Sequence, residues 1–92
     1  MAQKRLSLTI TGRVQGVGYR FFAEEAAEAL GVVGWVKNGW DGSVEIEAQA
    51  DQPTLALFCD RLREGPPLAY VADIEQREIP LLSGDASFEV RF

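Results

Sequence analysis

The 92-residue sequence contains no histidine. That removes imidazole as a general base and excludes Ser-His-Asp and Cys-His sites. Cysteine is nearly absent too: Cys59 stands alone, so no intramolecular disulfide can form and nothing demands an oxidising compartment. One cysteine and no histidine leave no set of ligands for structural zinc. No stretch of about 18 apolar residues occurs, and no signal-peptide core, so no membrane partner is expected and a cytoplasmic protein is. Positive charge is scarce, with nine Lys and Arg against fourteen Asp and Glu and a net charge of −5. That balance argues against a nucleic-acid partner. The Gly-Lys-Ser/Thr of a Walker loop is missing, and the dinucleotide fingerprint fails because its third glycine position, counted from Gly18, is Phe21.

What is present is an efficient pattern for one domain spanning residues 1–92, with 47% hydrophobic residues. Leu6, Leu8 and Ile10 alternate with Arg5, Ser7, Thr9 and Thr11, which predicts a half-buried strand over 4–13. Ala23, Ala26, Ala27 and Leu30 then follow helical spacing, with Glu24, Glu25 and Glu28 outward and Gly31 as a stop. Val32 to Lys37 reads as a second strand and Val44, Ile46 and Ala48 as the inward side of a third. Asn38-Gly39 and Asp41-Gly42 between them make a hairpin with an ambiguous turn. A second helix opens near Asp51 with Pro53 in its first turn. Leu55, Phe58, Cys59 and Leu62 form its apolar stripe, and Gly65-Pro66-Pro67 ends it. Tyr70, Ala72 and Ile74 mark a fourth strand; Phe88, Val90 and Phe92 mark a short extra one. The order β-α-β-β-α-β predicts an antiparallel sheet with both helices on one face and the other face in water.

The run Gly12-Arg13-Val14-Gln15-Gly16-Val17-Gly18-Tyr19-Arg20 sits at the first strand-to-helix corner. Such a corner is often only a tight turn. Yet its glycines let backbone amides approach an anion, the helix start adds unpaired N–H groups, and Arg20 adds a planar fork suited to phosphate. Residues 1–40 are also the one locally positive part of the chain, at +2 against −7 for residues 41–92. The other candidates favour blander readings. Cys59 belongs to a packing stripe, Glu45 and Glu47 to a solvated sheet face, and Trp35 and Trp40 to core or loop packing. A site without base, nucleophile or metal must work by positioning and electrostatics. Phosphoryl transfer to water is a reaction for which that suffices, provided the leaving group needs no proton. A carboxyl–phosphate anhydride meets that condition.

These residues, with Leu30-Gly31, Gly34-Trp35-Val36-Lys37-Asn38, Asp41-Gly42-Ser43-Val44-Glu45 and Gly65-Pro66-Pro67-Leu68-Ala69, resemble the acylphosphatases over nearly the whole chain. The resemblance implies a ferredoxin-like α/β sandwich of the α+β class. It implies metal-independent hydrolysis of small acyl phosphates, with inorganic phosphate as product and inhibitor, no cofactor, and a monomer. Carried over by position, the phosphate-binding arginine is Arg20 and the water-orienting asparagine is Asn38. The amides of Gln15, Gly16, Val17, Gly18 and Tyr19 would hold the phosphoryl oxygens. Read locally, Asn38 is a turn residue; the second turn signal at Asp41-Gly42 frees it to end a strand. Ala23 stands where many members carry threonine, Ala50 where many carry glycine, and Tyr19 where phenylalanine is common. Two other readings remain: a non-enzymatic phosphate-binding module, and a piece resembling the acylphosphatase-like domain of hydrogenase-maturation carbamoyltransferases. Phe21, where that domain usually has proline, and the end of the chain at Phe92 favour a stand-alone enzyme.

Overall fold

A computed structural model describes residues 2–92. The elements are β1 (Gln3–Arg13), α1 (Tyr19–Leu30), β2 (Val33–Asn38), β3 (Val44–Asp51), α2 (Gln52–Glu64), β4 (Tyr70–Ile79) and β5 (Phe88–Val90). Local chemistry sets the helix ends. Gly31 takes a left-handed conformation, and the N–H groups of Gly31 and Val32 return to the carbonyls of Glu28 and Ala27. Asp51 caps α2 by accepting from the Thr54 N–H at 2.9 Å, and Pro53 lies in the first turn, where its missing N–H is no loss.

The sheet order is β4-β1-β3-β2-β5. The first four strands pair antiparallel, as the sequence pattern requires, but β5 lies parallel to β2. The connection explains this direction, which the sequence pattern leaves open. Strand β4 ends beside Arg5 at one edge of the sheet, and the chain crosses at that end to the other edge. A strand starting there must run in the direction of β2. Phe92 lies beyond β5 and is 93% exposed, so the alternation expected to continue through it stops at Val90.

Leu8, Ile10, Val36, Val44, Ile46 and Ala48 from the sheet meet Ala23, Ala26, Ala27, Leu55, Phe58 and Leu62 from the helices. Phe88 docks edge-on against Phe58 at 5.8 Å between ring centroids. Two expectations about faces change. The β1–β4 register shifts between Thr11 and Gly12, so Val71 and Ile74 face the core while Tyr70 and Ala72 are exposed. The outer face is also not wholly in water. Arg5 is 1% exposed there, paired with Glu47 at 3.0 Å and Asp85 at 2.9 Å. The crossing segment 80–87 supplies that second carboxylate and so covers a side chain the alternation assigns to solvent.

Candidate active site

At the end of the sheet away from the crossing, β1 finishes, β2 and β5 finish, and β3 begins. The chain between β1 and α1 forms the proposed cradle. Gly16 and Gly18 have φ of 73° and 78°, while among the described residues no non-glycine residue has positive φ. The backbone therefore alternates in the sign of φ from Gln15 to Gly18, the pattern in which successive N–H groups can converge on an anion. Among the described residues, the amides of Gly16, Val17 and Gly18 have no acceptor. Gly18 is the N-cap of α1 and offers no side-chain cap, so the helix start is open as well.

The flanking side chains hold this loop in place. Val14 is buried in the core. Tyr19 is buried too, and its hydroxyl donates to the Leu62 carbonyl at 2.6 Å, near the end of α2. That bond satisfies a carbonyl that the helix leaves without an intrahelical partner. Burial pushes the Tyr19 phenol well above its ordinary pKa, so it stays a neutral donor. Of Tyr19, only the backbone can face an anion. The same holds for Gln15, whose side-chain amide hydrogens are engaged elsewhere: Nε2 donates to the carbonyls of Gly39 at 2.7 Å and Ser43 at 2.9 Å.

Those two bonds staple the cradle to the β2–β3 hairpin. Gly39 N–H closes the loop on the Ser43 carbonyl at 2.8 Å, and Asp41 accepts from the Ser43 N–H and hydroxyl at 3.1 and 2.7 Å. The tight turn is centred on Trp40 and Asp41, with the Gly42 N–H returning to the Gly39 carbonyl at 3.4 Å, and Asn38 is the last residue of β2, opposite Val44. A Cβ at Gly39 would lie 2.5 Å from Ser43 Oγ, so any larger residue there would displace the Ser43 side chain. The two-residue period puts Asn38 on the face of Val36, beyond the edge of the core and on the cradle side. Trp40 is 98% exposed at the hairpin tip. Trp35 lies on the outer face between Lys37 and Arg91, 5.7 and 4.9 Å from its ring centroid.

Arg20 is the second residue of α1. One of its terminal nitrogens donates to the Arg91 carbonyl at 2.9 Å, and its guanidinium lies 4.5 Å over the Phe92 ring. Sequence reasoning did not foresee this partnership of Arg20 with the last two residues. No local pattern signals a contact 71 positions apart. Ala23, one turn further along α1, is buried in the core. Among the described residues, no group of three His, Cys, Asp or Glu side chains could hold a metal. Burial raises the pKa of Cys59, which remains a packing residue of α2.

Fold and site together define a ferredoxin-like α+β domain with a loop of unpaired amides at one end of its sheet. The acylphosphatase family model matches residues 6–90. An acylphosphatase of Clostridium beijerinckii is 38% identical over 88 residues, covering 96% of this chain and 98% of its own. The crystal structure of acylphosphatase from Bacillus subtilis superposes with a TM-score of 0.93 at 36% identity, covering 97% of this chain and 99% of that one. HypF of T. kodakarensis matches at a TM-score of 0.85 and 32% identity, over 97% of this chain but 12% of its own. The chain belongs to the acylphosphatase family, hydrolases that split the carboxyl–phosphate bond of small acyl phosphates.

Proposed function

We propose that the cradle of Gln15, Gly16, Val17, Gly18, Tyr19 and Arg20 receives the phosphoryl group, and that Asn38 places the attacking water. The observation that carries this reading is the Gln15 staple, which fixes the hairpin bearing Asn38 against the loop bearing the amides. Backbone N–H groups, the start of α1 and the free part of the Arg20 fork stabilise charge on the three equatorial oxygens. The water oxygen bonds to phosphorus as the bond from phosphorus to the acyl oxygen breaks. Carboxylate leaves with that bond's electron pair, and the water's proton ends on the phosphate or solvent. Asn38 is too weak a base to ionise water; its carbonyl accepts from the water and so contributes orientation. The reaction needs no metal, and inorganic phosphate occupies the same cradle as product and competitive inhibitor. The setting is a cytoplasmic monomer acting on small acyl phosphates.

Asn38→Ala tests the assignment. Turnover of acetyl phosphate falls by ~100-fold or more, the scale of a lost positioning contact, while the dissociation constant for phosphate stays near wild type. Unchanged turnover in a protein of lower melting temperature would make Asn38 a hairpin residue only.

A further inference from the structure

Arg5 lies on the outer face of the sheet, at the end opposite the cradle, yet it is 1% exposed and fully engaged. Its Nε donates to Glu47 at 3.0 Å, and one terminal nitrogen donates to Gln49 at 3.2 Å and Asp85 at 2.9 Å. The Gln49 amide in turn grips the backbone of Leu82 at both groups, accepting from its N–H at 3.0 Å and donating to its carbonyl at 2.9 Å. Four groups from β1, β3 and the crossing segment thus form one clasp over residues 82–85. We propose that Arg5 is a positioning residue for the phosphate site: by holding the crossing segment it sets the course of β5, and so where Arg91 and Phe92 hold Arg20. This inference rests on the reading of Arg20 as a phosphoryl-binding group.

The span of the crossing makes the coupling physical. Segment 80–87 must pass from β4 to β5, beneath β1, β3 and β2. Four strand spacings amount to about 19 Å, and eight extended residues reach at most ~28 Å. About a third of that reach is slack over the whole crossing, but only three residue steps, at most ~11 Å of chain, separate Asp85 from Phe88, so where the clasp holds Asp85 limits where β5 begins. Strand β5 itself is short, with three residues, and sits at the edge of the sheet. Its one fully buried side chain is Phe88. Because β5 is parallel to β2, it runs from the clasp end of the sheet to the cradle end. There the Arg91 N–H donates to the Val36 carbonyl at 2.8 Å, and the Arg91 carbonyl accepts from Arg20 at 2.9 Å. A shift of β5 along β2 therefore moves the guanidinium of Arg20 with it.

The test uses Asp85→Ala, which removes the Arg5 hold on the crossing segment but leaves Arg5 its bonds to Glu47 and Gln49 and leaves Gln49 on Leu82. At a temperature where each variant is folded, inorganic phosphate affinity is measured by calorimetry and KM with acetyl phosphate. Both constants rise together, roughly 3- to 10-fold, the range of coupling carried through packed elements. Asp60→Ala, which loses an exposed pair to Arg63, keeps wild-type values. In a chain ending at Val90, which lacks the two residues that hold Arg20, Asp85→Ala adds no further loss. A lower melting temperature with unchanged phosphate affinity and KM would reduce the clasp to a stability element and overturn the proposal. An undiminished effect of Asp85→Ala in the shortened chain would overturn it as well. Arg20→Ala separates the two levels. If it leaves phosphate affinity intact, the reading of Arg20 fails and this inference with it. If it weakens binding while Asp85→Ala does not, the clasp alone fails.

Discussion

Arg20 commits only part of its fork to the protein. One terminal nitrogen is committed to the Arg91 carbonyl and the cation face to Phe92, which orients the remainder of the fork. Its neighbour Tyr19 acts in the opposite direction, into the core. The Tyr19 hydroxyl holds the Leu62 carbonyl and so ties the start of α1 to the end of α2. Tyr19→Phe leaves that carbonyl without its partner and costs about 1–2 kcal/mol, the scale of a lost buried hydrogen bond. Because only the Tyr19 backbone faces the cradle, turnover per folded molecule stays at the wild-type level. Urea unfolding and acetyl phosphate hydrolysis on the same variant check both halves; a fall in turnover at full folding would give the hydroxyl a role in the site. Arg20 and Asn38 could be singled out as candidates because their motif neighbours stand beside them in the chain. The tyrosine hydroxyl could not, since its partner lies 43 residues away and nothing near Tyr19 requires a donor.

At the scale of elements, periodicity carried β1, β2, β3 and both helices, because each has one face in the core. It failed at β4, where the register shift at Gly12 brings Val71 and Ile74 inward in place of Tyr70 and Ala72. It also could not give the direction of β5, which follows from where the crossing starts and ends. Polar caps were easier to read: Asp51 before Pro53 announces α2. Bonds from Thr54 to the Asp51 carboxylate hold its pKa below the ordinary value, and bonds from Ser43 do the same to Asp41 in the hairpin. The sign of the linkage follows. Near neutral pH both carboxylates are charged in the folded and unfolded chains, and their bonds stabilise the fold in full. As pH falls below about 4, the unfolded chain takes up protons first. Stability is then lost progressively as pH drops through the depressed folded-state values. Asp51→Asn keeps a cap that accepts the Thr54 N–H but does not titrate. Its melting temperature therefore falls less steeply than wild type between pH 5 and pH 2.5, by a difference confined to the acid side. Parallel curves for the two proteins across that range would show that Asp51 contributes nothing to acid sensitivity.

For the whole molecule, the sheet brings together parts that are far apart in sequence. The cradle after β1, Asn38 at the end of β2, and Arg91 and Phe92 after β5 meet at one end of the sheet. Binding there must then stabilise the entire fold, because the site does not exist in the unfolded chain. Inorganic phosphate at a hundred times its dissociation constant stabilises by about 2.7 kcal/mol if it binds only the folded state. For a domain of this size each kcal/mol moves the melting temperature by roughly 4–8 °C, so saturation raises it on the order of 10 °C. Arg20→Lys keeps one positive charge but replaces a planar fork with a point charge. Lysine cannot hold the Arg91 carbonyl, cover the Phe92 ring and present two parallel donors to phosphate at once. The phosphate-induced shift therefore shrinks to a small fraction of the wild-type shift, although the variant folds without ligand. Excess chelator leaves both the shift and the rate of acetyl phosphate hydrolysis unchanged in wild type, since the amides and Arg20 supply the positive field. A shift in Arg20→Lys equal to wild type would show that charge alone binds the anion. Activity lost in chelator and regained with magnesium would require a metal at the cradle and overturn the mechanism.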